Sequence, residues 1–225
     1  MGSPPLRLEN IGKKYGDNWV LKNLNLTFDG PGLYAIYGDN GSGKTTFIKI
    51  CSGLLKPSSG RVYVYGDPVE YGGWDKSLVN ALLHENVMYD ELTVRENLDF
   101  YLGIYGFGSL EEAEYAYKAF ESLGLARYID YRLSSLSYGW RKRANIVRCL
   151  INSPKILFLD EPTIGLDVDA TSRLVKLLSE YSLNNLVIFT VSDAEDLKQF
   201  IELSSVDVEV FRLEDGGLKH WRVRY

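Results

Sequence analysis

Unbroken apolar runs punctuate an otherwise alternating chain. Residues 33–37, 78–83, 156–159 and 186–191 are short, continuous and apolar. That is the pattern of parallel strands buried on both faces. Elsewhere apolar and polar positions alternate. Leu6, Leu8 and Ile11 come first, followed by a turn at Gly12-Lys13-Lys14-Tyr15-Gly16-Asp17. Leu24, Leu26 and Phe28 then share one face, and Arg61-Val62-Tyr63-Val64-Tyr65 alternates up to Gly66-Asp67-Pro68. These stretches predict a small antiparallel sheet beside the parallel one. Val206, Val208 and Val210, the turn Asp215-Gly216-Gly217, and Trp221, Val223 and Tyr225 predict a terminal hairpin.

Helical spacing fills the intervals. A helix beginning at Thr46-Phe47-Ile48-Lys49-Ile50-Cys51 is expected to reach Leu54 or Leu55, with Pro57-Ser58-Ser59-Gly60 as its stop. Thr93-Val94-Arg95-Glu96 is a capping box ahead of Leu98, Tyr101 and Leu102. Ser109-Leu110-Glu111-Glu112 reads as a second, ahead of Ala113, Tyr117, Phe120 and Leu123, with Gly124 as C-cap. Phe100, Tyr101, Tyr105 and Phe107 lie close together, either as core or as an exposed patch for a partner. Residues 141–152 carry the stripe Ile146, Val147, Leu150 and Ile151, with Arg141, Lys142, Arg143 and Arg148 read as exposed. Later helices place Leu174, Val175, Leu177 and Leu178, then Ala194, Leu197, Phe200 and Ile201, on inward faces.

Composition narrows the class. The chain has 225 residues, 45% hydrophobic and 24% charged, as in an ordinary globular protein. With 25 basic against 30 acidic residues, net charge −5, it is not expected to bind nucleic acid generally. No apolar run is long enough to span a membrane. Met1-Gly2-Ser3-Pro4-Pro5 is followed by no apolar stretch of the kind a signal peptide needs. Cys51 and Cys149 sit in apolar helical patterns and read as buried free thiols of a reducing compartment.

The chemistry begins at Gly38-Asp39-Asn40-Gly41-Ser42-Gly43-Lys44-Thr45, which satisfies G-x-x-x-x-G-K-[ST] at every fixed position. A strand precedes it and a helix, opening with Thr46, follows. That order aims backbone N–H groups and a helix N-terminus at phosphate. Lys44 would reach the β- and γ-phosphates and Thr45 would offer its hydroxyl to Mg²⁺. Asp160-Glu161-Pro162 ends the apolar run 156–159, where open α/β sheets bind ligands. Asp160 suits Mg²⁺ through water; Glu161 suits a general base for water attacking a γ-phosphate. Tyr15 and Trp19 are turn aromatics, either of which could stack on adenine.

In this order and spacing, these motifs resemble the ATP-binding subunit of an ABC transporter over nearly the whole chain. Residues 156–161 match Walker B with its catalytic Glu161. Leu136-Ser137-Tyr138-Gly139-Trp140 stands where the signature L-S-G-G-Q belongs, and Gly165-Leu166-Asp167 matches the D-loop. Tyr15 matches the adenine-stacking aromatic. Residues 91–98 and 101–106 look closest to drug-export or ABC-2-type ATPases. The resemblance implies an α/β P-loop NTPase (RecA-like) core with an antiparallel β subdomain, residues 1–84 and 153–225. It implies an inserted helical subdomain at 85–152. It also implies ATP and Mg²⁺ as ligands, a head-to-tail pair with a like or unlike second subunit, and membrane-spanning partners at the cytoplasmic face. Ser137, Tyr138 and Gly139 would meet the partner subunit's ATP, and Asp167 would lie in the D-loop.

Several positions depart from that pattern. The Q-loop glutamine, itself placed near the metal, reads His84. Two signature positions read Tyr138 and Trp140, and the switch histidine reads Ser192. His84 and His220 are the chain's only histidines, so no imidazole is expected to take the place of Ser192. A missing transition-state donor costs about 10²–10³ in rate. The expectation is normal ATP binding with slow hydrolysis, and pairing with an unlike subunit would account for both Ser192 and Tyr138. A soluble ABC-type ATPase serving no channel would carry the same motifs. A P-loop phosphotransferase would have no use for a signature helix or a D-loop.

Overall fold

The computed structural model describes residues 2–71, 78–85 and 87–221. Along the chain come β1 (Leu6–Tyr15), β2 (Asn18–Phe28), β3 (Gly32–Tyr37), α1 (Lys44–Cys51), β4 (Ser59–Val64), β5 (Asp67–Pro68) and β6 (Val79–Leu82). Then follow α2 (Val94–Tyr105), α3 (Glu114–Ser122), α4 (Tyr138–Leu150), β7 (Ile156–Leu159), α5 (Val168–Ser182), β8 (Leu186–Val191), α6 (Ala194–Leu203), β9 (Val208–Glu214) and β10 (Gly217–His220).

The continuous apolar runs become the inner strands of one sheet, ordered β10-β9-β3-β8-β7-β6 and parallel except for the β9–β10 hairpin. Every residue of β7 and β8 is buried, because both faces are covered. Alternation divides them between two cores. Leu157, Leu159, Val187, Phe189 and Val191 face a core shared with α2 to α6. Ile156, Phe158, Leu186 and Ile188 face the opposite core, shared with α1 and an antiparallel sheet ordered β2-β1-β4-β5. α1 is thus pinned by Phe47, Ile48, Ile50 and Cys51, all fully buried. That pinning holds the glycine loop at its N-terminus in place.

Several local expectations are corrected. β1 continues through Gly12 to Tyr15, since bulges near Asn10 (φ +50°) keep its pairing with β2 in step, and the turn is confined to Gly16-Asp17. α1 stops at Cys51 rather than Leu54, with the N–H groups of Leu54 and Leu55 both returning to the Lys49 carbonyl. The box at Thr93 forms, but the one at Ser109 does not. Glu112 instead accepts from the Gly108 N–H (2.9 Å), residues 110–112 make a single tight turn, and α3 begins only at Glu114. Lys142, Arg143 and Arg148 are buried, not exposed. Cys51 and Cys149 are buried free thiols. β9 begins at Val208, and of the expected last strand Val223 and Tyr225 lie outside the described residues. No helix among the described residues is long and apolar enough to cross a membrane.

The aromatic cluster divides. Tyr101, Tyr105 and Phe107 pack on the larger core, while Phe100 stays exposed with its ring edge-on to Tyr89 (5.2 Å), and Val87 and Ile104 are exposed as well. Asn97, fully buried in α2, holds the neighbouring loop: its amide donates to the carbonyls of Tyr89 and Thr93 (both 2.9 Å) and its oxygen accepts from the Tyr89 N–H (2.7 Å).

Candidate functional site

β3 delivers the chain into the glycine loop beside the end of β8, where the Gly38 N–H bonds to the Val191 carbonyl (3.3 Å). A side chain at Gly38 would lie 2.5 Å from the Leu213 carbonyl oxygen. Gly43 caps α1 in the left-handed region, φ +106°, with Val20 closing the space a Cβ would need. Asp39, Asn40 and Gly41 form the exposed crest, and the buried Ser42 hydroxyl has no hydrogen-bond partner. Lys44 is 5% exposed and donates to the carbonyls of Gly38 (2.7 Å) and Asp39 (3.1 Å). Burial lowers its pKa from the ordinary lysine value, against the pull of Glu161, Asp160 and Asp39. Thr45 and Thr46 open the helix behind it.

The carboxylates arrive on β7. Asp160 is buried and satisfied on both oxygens: Thr45 Oγ1 donates to Oδ2 (2.7 Å) and Thr190 Oγ1 to Oδ1 (2.6 Å). Thr190 also accepts from the Glu161 N–H (2.9 Å). Glu161 turns the chain in the left-handed region, φ +49°, which swings its side chain toward the loop. Its Oε1 lies 3.8 Å from Lys44 Nζ and its Oε2 lies 3.5 Å from His84 Nε2. An imidazole, that of His84, therefore stands beside Glu161, while position 192, just past the end of β8, is a serine. The His84 ring faces Glu161 on one side and, through Nδ1, the Tyr138 hydroxyl on the other (3.5 Å).

α4 brings the second group of residues against this corner. Ser137 is its N-cap, with a hydroxyl that makes no capping bond. Gly139 comes so close to the Gly165 carbonyl that a Cβ would lie 2.4 Å from it, and the Tyr138 ring covers Gly165. Lys142 Nζ donates to the carbonyls of Glu161 and Ile164 (2.9 Å to the latter), and burial pushes its pKa down to about 8. Trp140 turns away from the corner: its ring lies under Arg143 (3.9 Å) and beside Tyr128 (4.2 Å). Arg143 also donates to Asp167, which caps α5 by accepting from the Ala170 N–H (2.9 Å). Tyr15 is half-exposed at the tip of β1, its ring 5.4 Å from Lys13 Nζ.

The sequence pattern missed Thr190, Lys142 and Arg143. Lys142 and Arg143 each stand four residues before Ile146 and Val147, so the apolar stripe itself placed them inward.

The sequence model of the family described as ABC transporter matches residues 21–164, which contain the glycine loop, Asp160 and Glu161. This chain belongs to the ABC transporter family as a nucleotide-binding domain. An ABC domain binds ATP. Among ABC relatives, the Nod factor export ATP-binding protein I of Cupriavidus metallidurans is 33% identical over 197 residues, covering 85% of this chain and 65% of that protein. The probable sulfate/thiosulfate import ATP-binding protein CysA of Chlorella vulgaris is 30% identical over 211 residues, covering 94% of this chain and 88% of that protein. The ABC transporter G family member 20 of Dictyostelium discoideum is 29% identical over 214 residues, which is 95% of this chain but 28% of that protein. The chain thus spans from about a quarter to most of the length of these ABC relatives.

Proposed function

We propose that this chain hydrolyses ATP as the energy-coupling subunit of a membrane transporter, paired head to tail with a second nucleotide-binding domain. The observation that carries the reading is the junction of β7 with the glycine loop. There Thr45 Oγ1 lies 2.7 Å from Asp160, and Lys44 Nζ lies 3.8 Å from Glu161. The loop N–H groups of residues 39–46 and the Lys44 ammonium hold the phosphates, with the unpartnered Ser42 hydroxyl beside them. The exposed face of Tyr15 receives the adenine.

The donors also suit Mg²⁺. Thr45 Oγ1 and Asp160 are oxygen ligands. Among the described residues no group of three or more His, Cys, Asp and Glu could cage a metal. One or two protein oxygens, with phosphate and water completing the shell, is the way Mg²⁺ binds in such sites. When bound, the ion draws off negative charge building on the phosphates. Glu161 takes a proton from water as the water oxygen bonds to the γ-phosphorus. The bond from that phosphorus to the bridging oxygen breaks, leaving ADP and phosphate. Lys44 neutralises charge from one side, and Ser192 follows directly on the end of β8. Ser137, Tyr138 and Gly139 of the other subunit close the nucleotide in, the α4 N-terminus toward the γ-phosphate. Asp167 orders the D-loop through its cap and Arg143.

The core is residues 1–84 and 153–225, with the helical subdomain at 85–152. In this reading the exposed apolar side chains Val87, Tyr89, Phe100 and Ile104 serve as the docking face for membrane-spanning partners at the cytoplasmic side of a membrane. Phosphate release by the chain and by Glu161→Gln tests the reading. Turnover should vanish in the variant while ATP binding persists. Equal turnover in both proteins overturns it.

A further inference from the structure

His84, expected near the metal as the Q-loop residue, stands beside the Glu161 carboxylate. Its Nε2 lies 3.5 Å from Glu161 Oε2, and its Nδ1 lies 3.5 Å from the Tyr138 hydroxyl. Lys44 also approaches the Glu161 carboxylate, at 3.8 Å, and it is committed to the Gly38 and Asp39 carbonyls. A carboxylate oxygen can only accept, so in the neutral ring the proton sits on Nε2. Nδ1 is then left to accept from the Tyr138 hydroxyl. Tyr138 is itself fixed by its ring lying over Gly165.

We propose that His84 is a positioning residue for Glu161, held in its ring orientation by Tyr138. The reading rests on Glu161 acting as the base in ATP hydrolysis. It follows the usual logic of such sites, in which the base is oriented by a third group. Catalytic hydrogen bonds are commonly long in a nucleotide-free protein and shorten in the reacting complex, so separations of 3.5 Å are within the reach of this role. Tyr138 and His84 thereby replace, within one chain, the orienting imidazole that position 192 lacks. Tyr138, which looks like a damaged signature residue, becomes the support of the catalytic corner.

The assembled transporter, with its paired nucleotide-binding domains, is assayed for steady-state phosphate release and, separately, for binding of a fluorescent ATP analogue. His84 is half-exposed, so His84→Ala is expected to fold. It should lower kcat by about 10- to 100-fold and leave analogue affinity within about twofold. His84→Gln, whose amide N–H can still reach Glu161, should recover part of the loss. Tyr138→Phe, which removes the hydroxyl and keeps the ring, should lower kcat in the wild-type background and by clearly less in His84→Ala, because the hydroxyl acts on Glu161 through that imidazole. A kcat for His84→Ala equal to wild type overturns the proposal. So does a loss shared equally by binding, or additive losses in the double variant. Glu161→Gln serves as the control. If it too keeps wild-type turnover, the ATPase reading has failed; if it is dead while His84→Ala is unaffected, only the role of His84 has.

Discussion

Replacing Lys142 with methionine separates stability from catalysis in this fold. The amine is 7% exposed and donates to the carbonyls of Glu161 and Ile164. Burial lowers its pKa from the ordinary 10.5 to about 8, in spite of the attraction of Glu161 and Asp160. That displacement corresponds to about 3 kcal/mol for keeping the amine charged at neutral pH. Methionine fills the same volume and removes that cost. It also takes a donor from two part-buried carbonyls, that of Glu161 keeping only the Ile164 N–H at 3.4 Å, at a total of about 1–3 kcal/mol. The two effects nearly cancel, so the urea midpoint of Lys142→Met at pH 7 should stay within about 2 kcal/mol of wild type. Turnover should not stay. Glu161 is held in the left-handed region by Lys142 on its carbonyl and Thr190 on its N–H. That backbone costs about 1 kcal/mol or more to maintain. Without the amine the peptide can rotate and the carboxylate leaves its position, with a loss in kcat of about 10- to 100-fold. The pH dependence supplies an independent signature. Between about pH 8 and 10.5 the unfolded chain holds more protons at this lysine than the folded chain, so its contribution to stability rises with pH. Below pH 8 both states are protonated and the cost is constant. The wild-type stability, less that of Lys142→Met, should therefore climb through this window. A flat difference from pH 8 to 10, or wild-type turnover in the variant, would refute the reasoning.

Thr190→Val should destabilise the chain by about 2–4 kcal/mol, read as a lower Tm, because the buried Asp160 loses a donor and the Glu161 N–H its acceptor; an unchanged Tm would count against that network. Ser192→His should alter ATP turnover by less than about threefold if His84 already orients Glu161, whereas a gain approaching the 10²-fold worth of a transition-state donor would return that role to position 192. Asp167 is held below the usual carboxylate range by the Ala170 N–H and, to a lesser degree, by Arg143. Its contribution to stability is full above the unfolded value near 3.9 and is lost as pH falls through the lower folded value. Asp167→Asn should therefore lose less stability than wild type in acid denaturation below pH 4, and parallel acid curves would show that the cap carries no such charge.

The sequence made the sheet and the glycine loop legible because each rests on a local rule. A buried parallel strand must be apolar throughout, and a loop that wraps phosphate must have glycine where Val20 and the Leu213 carbonyl press in. The rest failed where residue type was read ahead of periodicity. Lys142 and Arg143 looked like solvent-facing charges, yet the spacing to Ile146 and Val147 put both on the inward stripe. Their charges survive there because the left-handed turn at Glu161, the Ile164 carbonyl, the Leu123 carbonyl and Asp167 wait for donors. Those acceptors belong to segments about 20 residues away in either direction, and no local pattern announces them. The same holds for His84 and Tyr138, 54 positions apart in sequence. Each departs from its family pattern, and read singly each looks like a loss. The packing of α4 against β6 is what brings the Tyr138 hydroxyl to the His84 ring, which in turn stands beside Glu161. A departure from a family motif is therefore best tested in pairs: two substitutions that share one neighbour in space are read as a compensation before either is read as a defect.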